Sequence, residues 1–174
     1  MKGSVVIALK EMIVEKFGID KWKKTLEKAG IDKEPLIGPL SNVDDQTVIK
    51  VIGASCETLN ITMAQASDSF GEYWVTVYSQ KLYKAYYIGV KTAKEFLLKM
   101  NTVHENTTKT VQDAHPPKFE YEWKNPKVLI MKYKSDRNLI DIMVGLIKGV
   151  GKLYKEDLKV NKLSDDKVEI IFPA

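Results

Sequence analysis

Apolar residues recur at three- and four-residue intervals through the first two thirds of the chain. After that they recur mostly at intervals of two. Residues 4–17 put Val5, Ala8, Leu9, Met12, Ile13 and Phe17 on one stripe, with Gly18 as a stop, which predicts a helix. Asp20 reads as the cap of a second helix through Ala29, ended by Gly30. Residues 31–43 hold two prolines and a glycine and predict a connecting loop. A third helix is expected near 45–58, with Val48, Val51, Ile52 and Cys56 inward. A fourth starts at Ile61 or Thr62, capped by Asn60, and reaches Phe70. An aromatic-rich segment follows, through Tyr73, Trp74, Tyr78, Tyr83, Tyr86 and Tyr87. Residues 91–111 carry Ala93, Phe96, Leu97, Met100, Val103, Thr107 and Val111 at helical spacing, and His104 falls on that stripe.

His115-Pro116-Pro117 breaks the helical pattern. Phe119-Glu120-Tyr121-Glu122-Trp123 then alternates strictly. Val128 to Tyr133 reads as its hairpin partner across Lys124-Asn125-Pro126. Leu139 to Tyr154 is an apolar helix containing Gly145, Gly149 and Gly151. Leu158 to Leu163 and Val168 to Phe172 form a closing pair of strands. Helices followed by β-β-α-β-β predict an α+β protein with a four-stranded antiparallel sheet.

Composition narrows the chemistry. The 174 residues, 44% hydrophobic, suffice for one domain with a substantial core. The net charge of +4 is spread along the chain. Its densest basic cluster, Lys21-Trp22-Lys23-Lys24, reads as a solvated helix face, so nucleic acid is not an expected partner. The single cysteine, Cys56, excludes an intrachain disulfide, a CxxC metal site and a CxxCH haem attachment. It reads as a small buried hydrophobe in a cytoplasmic protein, with thiolate ligation of iron as a minor alternative. The opening Met1–Lys10 segment is interrupted by charge and reads as a core helix. No stretch approaches the ~20 apolar residues that a membrane span needs.

A zinc site needs three or four ligands, and the two histidines and one cysteine available stand at distant positions. Gly149-Val150-Gly151-Lys152 lacks the first glycine and the hydroxyl of a phosphate loop. No nucleophile elbow is present, and the paired acids Asp44-Asp45 and Asp165-Asp166 read as caps and turns. No catalytic residues are therefore expected. Haem changes the count, because it asks for one protein ligand, an apolar slot and partners for two propionates. His104 offers the ligand. Tyr133, Ser135 and Arg137, spaced to share one strand face, offer the anion clamp. Leu9, Tyr73, Trp74, Leu97, Met100, Met143 and Leu146 are candidate linings.

These features together resemble the H-NOX family, the haem-nitric oxide/oxygen binding domains related to the haem domain of soluble guanylate cyclase. The resemblance rests on Met1-Lys2-Gly3, Phe70-Gly71-Glu72-Tyr73-Trp74-Val75, Phe96-Leu97, Val103-His104, Pro116-Pro117, Tyr133-x-Ser135-x-Arg137 and Gly145-Leu146-Ile147-Lys148-Gly149. It implies a helical lobe near 1–65 and an α/β lobe near 66–174, with one haem b between them. By the same resemblance His104 is the proximal iron ligand, and Tyr133, Ser135 and Arg137 bind the propionates. Pro117 and Val5 would press on the two faces of the porphyrin, while Trp74 and Met143 match distal-pocket residues.

Oxygen-binding members carry a tyrosine five residues past the motif's arginine; here that residue is Ile142. The expectation is a bacterial nitric oxide sensor that also takes CO and disfavours O2. NO would weaken the Fe–His104 bond and let the lobes shift, and the domain is not itself an enzyme. With nothing after residue 174 to act as output, the expected partner is a histidine kinase, a cyclic-di-GMP enzyme or a chemotaxis receptor. The alternatives are an O2-binding H-NOX domain and a haem-free module that engages protein or RNA.

Overall fold

The computed structural model describes residues 1–32, 36–111 and 114–173. Part of the loop expected at 31–43 therefore lies outside the described residues. The chain divides into two compact units. One comprises Met1–Ala66 with Lys109–His115, the other Ser67–Thr108 with Pro116–Ala174.

The first unit packs three helices, α1 (Gly3–Phe17), α2 (Ile19–Lys28) and α3 (Asp45–Leu59). Val6, Ala8, Leu9, Met12 and Ile13 of α1, Trp22 and Leu26 of α2, and Val48, Val51 and Ile52 of α3 are buried. Trp22 is buried between three exposed lysines, so the basic cluster is a solvated rim around a core anchor. Phe17, expected inward, stands 46% exposed in the last turn beside Gly18. Asp20 lies in the first turn of α2 rather than capping it; Gly18, at φ 87°, is the N-cap. Asp44 caps α3 by accepting from the Thr47 amide at 2.8 Å, and that bond holds its carboxyl below the usual carboxylate range.

Asn60 ends α3 in the left-handed conformation, at φ 53°, instead of starting the next helix. That start belongs to Thr62. Its hydroxyl accepts from the Gln65 amide at 3.2 Å, and the Gln65 side chain accepts from the Thr62 amide at 2.9 Å. The helix is α4 (Met63–Tyr73), which continues as a π-helical turn, Trp74–Tyr78.

The second unit is built on α5 (Ser79–Leu82), a 3₁₀ turn at Lys84–Tyr87, α6 (Ala93–Leu98), α7 (Met100–Thr108) and α8 (Ile140–Tyr154), with strands β1 (Lys118–Asn125), β2 (Val128–Lys134), β3 (Lys159–Lys162) and β4 (Lys167–Ile171). Every strand pairing is antiparallel, in the order β1-β2-β4-β3. Period-two alternation sends Tyr121, Trp123, Leu129, Met131, Tyr133, Val168 and Ile170 to one face. Leu129, Met131, Tyr133, Val168 and Ile170 join Phe96 and Leu97 of α6 and Ile140, Met143, Ile147 and Val150 of α8 in one core cluster. The other face carries the pairs Lys132–Glu122 and Lys124–Glu169 around Ile130, which is only 4% exposed.

Where α4 meets α8, backbone touches backbone. A Cβ on Gly71 would stand 2.1 Å from the Gly145 carbonyl carbon, and one on Gly145 1.9 Å from the Ser67 oxygen. Lys148–Asp68, at 2.7 Å, and Lys152–Glu72 flank this crossing. Such exposed pairs contribute ~0.2–1 kcal/mol each. The glycines, not the charges, set how near the helices come.

The stripe expected to run unbroken from 91 is divided at Lys99 into α6 and α7. No proline or glycine stands there. The Tyr121 hydroxyl donates to the Leu97 carbonyl at 2.9 Å, and the Asn101 backbone N–H acts on the same phenol to lower its pKa. In an unbroken helix those two backbone groups would bond each other, four residues apart. The hydroxyl takes the Leu97 carbonyl in place of that bond where the helix divides. Burial pushes the Tyr121 phenol up to about 12, partly offset by the Asn101 bond.

Two outcomes follow from this packing. Gly71→Ala should lower unfolding stability by about 1–3 kcal/mol, read as a lower urea midpoint, because backbone cannot retreat as a side chain can. An unchanged midpoint would mean that the crossing has slack. For Tyr121, the folded pKa of about 12 lies above the ordinary phenol value of 10.0. Its contribution is therefore complete below pH 10 and is lost as pH rises toward 12. Tyr121→Phe should show a shallower loss of stability across that window than the parent chain, in denaturant titrations at successive pH values.

Candidate functional site

His104 lies in the middle of α7, a helix that buries no side chain among the described residues. Its ring is half-buried. Nδ1 sits 3.3 Å from the Pro117 carbonyl oxygen, and the ring centroid lies 5.4 Å from that of Phe119, the planes tilted by 43°. A carbonyl only accepts, so in the neutral imidazole Nδ1 carries the proton and the lone pair lies on Nε2. An imidazole turned in this way, with Nδ1–H on a backbone carbonyl, is the arrangement of a metal-ligating histidine. Pro117 thus serves His104 through its backbone oxygen.

Phe119 and Tyr133 are cross-strand partners with ring centroids 6.2 Å apart, so His104, Phe119 and Tyr133 form a row. Tyr133 is 7% exposed and points to the core face. Shared strand alternation, however, does not place the rest of the clamp. β2 ends at Lys134, and Ser135 and Arg137 lie in the turn that follows, where Asn138 takes a φ of 52°. The Ser135 hydroxyl makes a long 3.4 Å contact with the Arg137 amide, as in a Ser turn. Both side chains are half-buried.

The structure brings Leu97, Tyr133 and Met143 into one hydrophobic cluster, with Trp74, Met100 and Leu146 partly buried against it. Trp74 opens the π turn, among the rings of Phe70 at 5.8 Å, Tyr78 at 5.3 Å and Tyr83 at 6.2 Å. Tyr73, beside it, is buried. Val5, half-buried, and Leu9, buried, share a face of α1 in the first unit.

Three residues not singled out by sequence complete the surroundings of His104: Phe119, Tyr121 and Asn101. The Asn101 amide donates to the Phe119 carbonyl and accepts from the Phe119 N–H, both at 2.8 Å. It pairs with β1 as another strand residue would. No side chain of α7 is fully buried, and Met100 packs only partly buried against the core cluster, so the helix gains less than the ~1.5–3 kcal/mol that each fully buried Leu supplies. Hydrogen bonds of ~1 kcal/mol each add to its hold, and Asn101 makes two of them. The only sequence signal was the spacing that puts Asn101 one turn before His104.

The donor set fits a haem. One imidazole has its tautomer set by a carbonyl. A phenol, a hydroxyl and a guanidinium lie along one stretch of chain, and apolar side chains gather beside them. No helix among the described residues is long and apolar enough to cross a membrane.

Known proteins give an independent reading. No curated protein matches the chain. The family model described as Haem-NO-binding matches residues 2–162. Among solved structures, an oxygen-binding H-NOX domain related to soluble guanylate cyclases, in its oxygen complex, is 25% identical. It covers all of this chain and 96% of its own, with a TM-score of 0.84. A single-residue mutant of the T. tengcongensis H-NOX is also 25% identical, covers 100% and 98%, and has a TM-score of 0.82. The unliganded Fe(II) form of a K. algicida H-NOX mutant, at 20% identity, covers 99% and 95% with a TM-score of 0.83, and shares the fold. A family model spanning nearly the whole chain, over an α+β fold with a four-stranded antiparallel sheet and a tautomer-set histidine, leaves one reading: the chain belongs to the haem-NO-binding (H-NOX) family of haem-based gas-sensor domains.

Proposed function

We propose that this domain senses nitric oxide at a ferrous haem b, one per chain, ligated by His104. The observation that carries the reading is the Nδ1 contact with the Pro117 carbonyl, which leaves Nε2 as the coordinating nitrogen. Tyr133 and Ser135 would each donate one hydrogen bond to the propionates, and Arg137 a two-pronged pair. Trp74, Leu97, Met100, Met143 and Leu146, with Val5 and Leu9 of α1, would supply apolar lining. A haem held there would supply an iron able to take a diatomic gas, NO or CO, with His104 as its protein ligand.

The residues of α7 carry the response. His104 would be the iron's ligand on a helix that buries no side chain fully and that is divided from α6 at Lys99. A gas that altered the iron's hold on His104 would shift α7 between two positions, to the extent that it favours one of them. A partner protein reads that shift. A histidine kinase, a cyclic-di-GMP enzyme or a chemotaxis receptor is the class the family implies.

Ile142, half-buried on α8, decides the gas. An apolar side chain offers no proton to the partial negative charge on bound O2, whereas NO needs a donor far less. Oxygen binding has one specific support, the 25% likeness to a domain described as oxygen-binding.

Absorption spectra of the reduced protein test both readings. NO should shift the main haem band, while air should give no stable oxygen complex; Ile142→Tyr should gain one. A stable oxygen spectrum in the parent chain would favour oxygen sensing. A protein that stays colourless after haem reconstitution would favour the haem-free interaction module. His104→Gly supplied with imidazole should bind gas yet fail to switch the partner, and normal switching would overturn the role given to His104.

A further inference from the structure

We propose that Asn101 and Tyr121 are positioning residues for His104: together they fasten α7 to β1 and fix how far the imidazole can travel. The inference deepens the reading above and rests on His104 being the iron ligand. Three contacts make the fastening. The Tyr121 hydroxyl donates to the Leu97 carbonyl, the acceptor that the Asn101 N–H would use in an unbroken helix, at the break between α6 and α7. The Asn101 side chain clasps both backbone groups of Phe119. His104 itself leans on the Pro117 carbonyl, two residues before the clasped strand residue.

Asn101 and His104 are three apart on one helix, so they lie on neighbouring surface of α7 and move together. Met100 is the α7 side chain packed against the core cluster, and it is only partly buried, so a shift of His104 along the helix normal strains or opens the Asn101 pair. Asparagine suits this task because its amide presents one donor and one acceptor, as a strand peptide does. Alanine presents neither.

The test uses the purified haem-loaded protein and three variants, Asn101→Ala, Tyr121→Phe and His104→Gly. Resonance Raman of the reduced protein reads the iron–histidine stretch. Amide hydrogen exchange reads the clasp without reference to the iron. The stretch should vanish in His104→Gly, and should shift and broaden in Asn101→Ala and Tyr121→Phe. The Phe119 amide should exchange about tenfold faster in Asn101→Ala, as for one lost hydrogen bond, while β4 amides stay at parent rates.

A stretch that persists in His104→Gly would mean that the ligand itself is misassigned. A stretch that vanishes there but is unmoved in both other variants would leave the ligand standing and overturn the positioning role. Faster exchange throughout β4 would mark general destabilisation and likewise count against the inference. Should Asn101→Ala fail to fold, Tyr121→Phe, which loses a single hydroxyl, carries the same comparison.

Discussion

A strand hydroxyl occupies the place of a helix hydrogen bond, and the setting of His104 follows from that substitution. The Tyr121 phenol stands between Leu97 and Asn101, and the helix divides there. On one side α6 buries Ala93, Phe96 and Leu97 in the core. On the other, α7 buries no side chain fully: Met100 packs partly buried against the cluster, and Asn101 adds two hydrogen bonds to β1. The division separates a firm element that defines the apolar cluster from a lightly held one that bears the histidine. A sensor helix needs that difference, because elements held by few buried contacts are the ones that open at low free-energy cost.

The opposite character appears at the α4–α8 crossing. Backbone meets backbone at Gly71, Gly145 and Gly149, with no side chain between to adjust. Helix α8 carries Ile142, Met143 and Leu146, and α4 runs into the π turn at Trp74. The residues proposed for the gas side are thus mounted on a close-packed frame, while the residue proposed for the iron is mounted on a helix that buries no side chain fully.

Local signals carried much of the architecture. Gly18 and Asp44 mark ends that the structure keeps, and strict alternation marked β1. Misreadings arose where two local signals competed or where a distant group intervened. Asn60 and Thr62 both suit a helix end; Gln65 tips the balance by completing a reciprocal cap with Thr62. Residues 91–111 hold an uninterrupted apolar period, and nothing within them shows that a tyrosine twenty residues on will enter the helix. Tyr133, Ser135 and Arg137 alternate like strand residues, yet pairing stops at Lys134 because a turn closes the strand. The motif residues proposed for the site stand out in the sequence by identity and spacing. The clasp of Asn101 on Phe119 does not, because a single polar residue on a helix surface carries no mark of its tertiary partner.

The same clasp has a bearing on solubility. β1 is an outer strand, and an outer strand presents open peptide groups that invite pairing with another chain. At Phe119 both groups are already taken by the Asn101 amide, so a foreign strand finds no purchase there. A helix that lifts away to report a gas would bare that stretch, and the signalling state would be the one most exposed to sticking to its own kind.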